Sequence, residues 1–376
     1  MKVAILGNLA PGYVRPMAEG LQRMFADINI TAEFFHEGHF MLARVQPDLR
    51  TYIRSAQQGS AVKNALKHFI KEAPIFYPFL KQLRKFDVIV VVNSIVPAFL
   101  NEFFRDEALR YWLPRTPIVL YDVFYLPTRG SWGKWLKEGN PERGIFQSGN
   151  WGLERYDWYL VGSVVSECPL PTGPQPYSHI GLNFVHDSLR VEPKKDFMAL
   201  IDFEIPDHMS ERAVQILACE KAKLKYVVLH GRYSMQDIRS IYRQCSMYFL
   251  AHRESFGLPI CELQACGSYV FTPYANWCPS HWIKEDLAQE GPGELSPNFI
   301  TYHNDMDRLI SEINCIKSTY DPYQVVDTFD RYHPQLHCGN IKELERFVRM
   351  IESGEITSRS HEQYAGITCD YAGSFG

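Results

Sequence analysis

No two of the nine cysteines form a CxxC pair, no stretch approaches the roughly twenty apolar residues that span a bilayer, and neither sign of charge dominates. Scattered cysteines argue against a zinc ribbon or a redox dithiol and suit buried thiols in a reducing compartment. A formal net charge of -4 at pH 7 leaves no global footprint for nucleic acid. The apolar run at 3–6 is too short for a signal peptide and reads as a first strand. The glycine loop that follows it, 7–12, is not GxGxxG, so the dinucleotide fingerprint is missing. The expectation is a cytoplasmic protein with no nucleic-acid partner and no required metal.

Length and alternation are what the chain does have. Its 376 residues suffice for roughly two domains. Aromatic residues make up 14% and are read as core, apart from a few available for stacking on a carbohydrate. Nearly continuous apolar runs at 86–92 and 117–122 have the pattern of parallel strands covered on both faces. Further strands are expected at 30–35, 156–161, 177–182, 197–201, 226–230, 247–250, 268–273 and 299–302. Helical spacing marks 15–25, 210–222, 235–244, 305–316 and 341–351. Prolines fill four of the eight positions at 169–176, and the composition turns polar through 195. That break predicts domains at 1–190 and 191–355, with the helix near 341–351 packing back on the first, and a polar tail at 356–376. The fold class is α/β: two Rossmann-like doubly wound domains with a cleft between their carboxyl edges.

Two segments of the first half invite a functional reading. At 62–85, Lys63, Lys67, Lys71, Lys81, Arg84 and Lys85 interleave with Phe69, Ile70, Phe76, Phe79 and Leu80. Such a basic amphipathic segment is either a solvated helix face or a peripheral anchor on an anionic membrane. The stretch 127–149, rich in Gly, Trp, Lys and Arg, reads as a long loop on the active face.

The second half contains Glu254-Ser-Phe-Gly-Leu-Pro-Ile-Cys-Glu262, continuing Leu-Gln-Ala-Cys-Gly267. Gly257 permits a sharp turn, Pro259 suits the start of a helix, and Gly267 suits the residue just past its end. A helix amino terminus leaves backbone N–H groups for an anion or sugar hydroxyls, while Glu254 and Glu262 offer acceptors. The plainer reading makes Glu262 a helix-dipole partner and Glu254 a solvated loop charge.

Gly231-Arg-Tyr-Ser-Met-Gln-Asp-Ile-Arg-Ser-Ile-Tyr-Arg-Gln-Cys, Met247-Tyr-Phe-Leu and the stretch from Glu254 to Gly267 together resemble the nucleotide-binding half of the family-four glycosyltransferases. These are retaining enzymes of the GT-B fold. The resemblance is strong over 226–273, with fainter echoes at 7–12, 156–163 and 180–183. It implies transfer of a sugar from a UDP- or GDP-linked donor to a hydroxyl of a glycan or lipid-linked acceptor, with retention, in glycan, polysaccharide or glycolipid biosynthesis. No cofactor is required.

The resemblance implies that Glu254 faces the donor sugar, that the amides of Ser255, Phe256, Gly257 and Leu258 meet its hydroxyls and diphosphate, and that Glu262 accepts from the ribose. It implies that Gly12 lies against the diphosphate from the other domain. The arginine and lysine that the family carries after the first strand of its second domain are absent. Leu200-Ile-Asp-Phe-Glu-Ile-Pro-Asp-His208 stands there instead. The replacement cations considered are Arg212, first, then Arg232 and Arg253. Tyr121-Asp122 stands where the family often has a histidine, making Asp122 the candidate base or orienter for the acceptor. The missing cations also leave open a non-catalytic, sugar-nucleotide-binding or scaffold protein of the same fold.

Overall fold

A computed structural model describes residues 1–7, 14–36, 78–79, 81–92, 113, 115–124, 156–163, 177–193, 196–250, 256–273, 281–283, 294–302 and 305–358. The chain forms two units, one of Met1–Gly162, Leu170–Ile180 and Asn340–Gly376, the other of Ser163–Pro169 and Gly181–Gly339.

The first unit is built on β1 (Lys2–Gly7), β2 (Thr31–His36), β3 (Val88–Val92), β4 (Ile118–Phe124), β5 (Trp158–Ser163) and β6 (Tyr177–His179), ordered β2-β1-β3-β4-β5-β6. β1 pairs in parallel with both β2 and β3. All five residues of β3 are buried, as a strand covered on both faces requires. Helix α1 (Val14–Asp27) buries Met17, Leu21 and Met24 along one stripe, and the helix at Ile341–Glu352 packs against it and β6.

The second unit is a five-stranded sheet in which every neighbouring pair is parallel, ordered β11-β10-β9-β7-β8. Its strands are β7 (Met198–Ile201), β8 (Lys225–Val228), β9 (Met247–Phe249), β10 (Tyr269–Thr272) and β11 (Phe299–Thr301). Its helices are α2 (Met209–Lys221), α3 (Met235–Gln244), α4 (Leu258–Ala265), α5 (Met306–Thr319), α6 (Pro322–Tyr332) and α7 (Pro334–His337); α8 (Ile341–Glu352) belongs to the first unit. The core gathers Ala199, Ile201, Met247, Phe249, Phe271, Tyr302 and Leu309, with the Phe249 ring 5.5 Å from Phe271 and 6.1 Å from Tyr302. Two Rossmann-like doubly wound units on one chain match the expected α/β class. No helix among the described residues is long and apolar enough to cross a membrane.

Two differences from the sequence expectations have local causes. β6 stops at His179 rather than 182 because Gly181 takes a φ of +72°, which ends the extended run. α6 was not expected at all, yet Asp321 caps it by accepting from the Tyr323 amide, Pro322 opens it, and Val325 and Phe329 bury one face.

Gly267 closes α4 in a Schellman turn: its amide donates to Gln264 O at 2.9 Å, and Ser268 N donates to Leu263 O at 2.9 Å. It holds a φ of +83°, and an added Cβ would stand 2.6 Å from Pro322 Cβ and 2.7 Å from Pro322 O. Gly267→Ala should therefore cost about 2–4 kcal/mol, combining left-handed strain with overpacking. The control is Gly231→Ala, at a φ of +72° with nothing within 4 Å of the new methyl. It should cost only about 1–2 kcal/mol in the same urea titration.

Candidate functional site

Each sheet reverses its strand order at one place, between β1 and β3 in the first unit and between β7 and β9 in the second. Outside the carboxyl ends of strands at such a switch point lies the usual ligand crevice of an open α/β sheet. The segment holding Gly12 follows β1, and the segment holding Arg253, Glu254 and Ser255 follows β9. Gly12, Arg253, Glu254 and Ser255 themselves lie outside the described residues, as do 62–77, 127–149 and 359–376.

Phe256 and Gly257 are described, and Gly257 is the N-cap of α4 with extended backbone (φ -132°, ψ 117°). Leu258 and Pro259 open the helix, and among the described residues no side chain caps it. The first amides at the positive end of α4 thus have no side-chain cap among the described residues.

One turn further along α4, Glu262 is buried, with its side chain 6% exposed. Arg239 of α3, as deeply buried, donates to Glu262 Oε1 from Nε at 3.1 Å and from Nη2 at 2.8 Å. Its Nη1 donates to Ser188 Oγ at 3.0 Å, and His186 Nδ1 lies 2.6 Å from that oxygen. The partly buried His186 and Ser188 thereby extend the buried Arg239–Glu262 pair to the segment 186–188. Tyr242, one turn beyond Arg239, has its hydroxyl pushed well up by burial first, then by the charges of Glu262 and Asp202. The sequence reading missed Arg239. Its signal was position: Met235, Arg239 and Tyr242 share one helical face, and a charge on a buried stripe calls for a buried partner.

At the carboxyl end of β7, Asp202 is 7% exposed and accepts from the Phe203 amide at 2.7 Å. Arg212, in the first turn of α2, donates from Nη2 to Leu229 O at 3.0 Å, and its Nη1 lies 3.7 Å from Glu204 Oε2. The loops following β7 and β8 therefore hold this cation at the carboxyl edge of the sheet. Arg232 is exposed in the turn leading to α3.

Asp122 lies within β4 rather than past its end, 1% exposed, with Oδ1 accepting from the Val123 amide at 2.6 Å. The adjacent Tyr121 hydroxyl is driven far up by burial and by Asp122. An open pocket of about 520 Å³ is lined by Met1, Asp87, Arg115 and Thr116, the residues leading into β1, β3 and β4. It sits at the amino edge of the first sheet, opposite the ends where ligands bind in such folds.

No protein-family model matches the chain, and no curated protein matches it either. Among solved structures, HepE of Anabaena in complex with UDP-glucose is 11% identical over 94% of this chain and 100% of that one, with a TM-score of 0.46. LpCGTa in complex with UDP is 10% identical over 93% and 99%, TM-score 0.46. The spinosyn rhamnosyltransferase SpnG is 12% identical over 93% and 100%, TM-score 0.39. Likenesses this distant carry no weight for activity.

Proposed function

We propose that this protein transfers a sugar, with retention, from a UDP- or GDP-linked donor to a hydroxyl of a glycan or lipid-linked acceptor in glycan, polysaccharide or glycolipid biosynthesis. The observation that carries the reading is the position of its most telling motif. The segment containing Glu254 lies in sequence between β9, at the switch point of the second sheet, and a helix that no described side chain caps and whose second turn holds Glu262. A departing nucleoside diphosphate gains negative charge, and fixed amides at a helix terminus stabilise it without reorganising.

In this reading Glu254 faces the donor sugar, and the amides of Ser255, Phe256, Gly257 and Leu258 meet its hydroxyls and diphosphate. Gly12, in the segment after β1, would let a phosphate come close to the backbone. Glu262 receives the ribose hydroxyls, and Arg239 fixes the angle of its carboxylate. Arg212 is the first candidate to neutralise the diphosphate, with Arg232 and Arg253 behind it. Asp122 orients the acceptor hydroxyl or takes its proton. The segment 62–85 supplies peripheral attachment where the acceptor is lipid-linked.

Transfer and donor hydrolysis over a panel of nucleotide sugars test this directly. Glu254→Gln should lower turnover at least about 100-fold, as loss of a group acting at the reacting centre does. Full turnover in that variant would remove Glu254 from its role.

A second reading has its own observation: acidic Asp202 and Glu204 follow β7, where the resemblance leads one to expect cations. A binding or scaffold protein would then keep the nucleotide and lose transfer. Calorimetry separates the two from a protein of other function, because neither survives a failure of UDP and GDP to bind at millimolar concentration.

A further inference from the structure

We propose that Asp330, His337 and Cys338 form a zinc site with three protein ligands and one open position. Asp330 Oδ1, His337 Nδ1 and Cys338 Sγ lie within 4.8 Å of one another. The individual separations are 3.1 Å from Asp330 Oδ1 to His337 Nδ1, 3.1 Å from Asp330 Oδ1 to Cys338 Sγ, and 3.6 Å from Cys338 Sγ to His337 Nδ1. Around a tetrahedral zinc ion with bonds of about 2.3 Å to sulfur and about 2.0–2.1 Å to nitrogen or oxygen, ligand atoms stand about 3.3–3.6 Å apart. The three donors already mark one face of that tetrahedron, and binding needs shifts of a few tenths of an ångström.

The donors hydrogen-bond to one another, the Cys338 thiol donating to Asp330 Oδ1, and backbone hydrogen bonds fix the segment that carries two of them. His337 ends α7, and Cys338 caps it by donating its amide to Pro334 O at 2.8 Å. The carbonyls of the same two residues accept from Phe184 N at 2.8 Å and from Asn183 Nδ2 at 3.1 Å. Asp330 comes from the last turns of α6, so the site spans the corner between two helices. His337 is largely covered, its side chain 12% exposed, while Asp330 at 53% keeps one side open to an incoming ion and its remaining water ligand.

Charge and softness select the metal class. A carboxylate and a thiolate supply two negative charges for a divalent cation, and the mixed sulfur, nitrogen and oxygen set suits borderline zinc better than calcium or magnesium. On binding, the thiol proton of Cys338 leaves to solvent and its sulfur bonds the ion. Neither oxidant nor reductant is involved. The spacing Asp-x6-His-Cys has no CxxC pair, which is why the cysteine pattern does not announce it.

Full-length protein stripped with a chelator and titrated with Co²⁺ tests the site. The expected result is one equivalent bound with a thiolate-to-cobalt charge-transfer band, displaced by Zn²⁺. Cys338→Ser should abolish the band. Asp330→Asn, at a half-exposed position that leaves folding intact, should weaken Zn²⁺ in a chelator competition at least about 10-fold. Added Zn²⁺ should raise the melting temperature of the wild type but not of Cys338→Ser. An absent band in the wild type, or a band unchanged in Cys338→Ser and therefore due to another cysteine, would overturn the proposal.

Discussion

Replacing Arg239 with methionine is expected to destabilise the protein by about 3–5 kcal/mol, because it strips a buried carboxylate of its guanidinium. Glu262 and Arg239 are each about 5% exposed, and two nitrogens of the guanidinium reach one oxygen of the carboxylate. Without Arg239, the largely buried Glu262 charge is left beside Tyr242 in the field of Asp202 with little solvent to offset it. Its carboxyl should then titrate above the ordinary range. The sign follows: the folded variant holds its proton to higher pH than the unfolded chain, so the deficit is small near pH 4 and grows toward neutrality. Urea midpoints at several pH values measure this.

The double variant Arg239→Met, Glu262→Leu should recover most of the lost stability, since a buried ion pair is often matched by apolar residues of similar size. Stability and function then part company. If Glu262 receives the ribose, the double variant folds but loses nucleotide affinity at least about 10-fold, one good hydrogen-bonded contact to a charged group. Unchanged UDP and GDP affinity in a folded double variant would leave the pair a purely structural one.

What the sequence makes legible here is what it encodes locally. β3 and β9 appear as apolar runs because both their faces are covered, and α4 appears between Pro259 and Gly267 because both act on their own backbone. α6 escapes because its exposed positions carry Asp327, Asp330 and Arg331 and its apolar face is only Val325 and Phe329. Its cap, Asp321-Pro322, was readable; the reason for a helix there, packing of Pro322 against Gly267, was not. The candidate site divides in the same way. Glu254 and Glu262 stand out by motif, whereas Arg239 needs a partner 23 residues away and Ser188 one 51 residues away, distances no local period spans.

Stability should also fall as the solution is acidified from pH 7 to 5, and the cause should be two histidines rather than a carboxylate. His281 and His333 are fully buried, ring centroids 5.9 Å apart. Burial pushes His281 well below the usual imidazole range, with His333 adding in the same direction. His333 is pushed down to about 4, burial outweighing the opposing influence of the His281 backbone. Both are neutral in the folded state at pH 7, while the unfolded chain takes up protons near pH 6.5. Stability is therefore fully present above about 6.5 and is lost as the pH falls toward 4. His333 alone accounts for about 2 kcal/mol by pH 5. The loss bears on the site, because the Phe256 ring, next to the segment of Glu254, stacks on His281 at 5.5 Å and 10°. If the proposed transfer is measured, an acid limb in its rate profile would then be expected to follow the loosening of this stack. His333→Leu, which fills similar volume and cannot titrate, should flatten the dependence of the urea midpoint on pH between 7 and 5. The same slope in wild type and variant would assign the acid sensitivity to other groups.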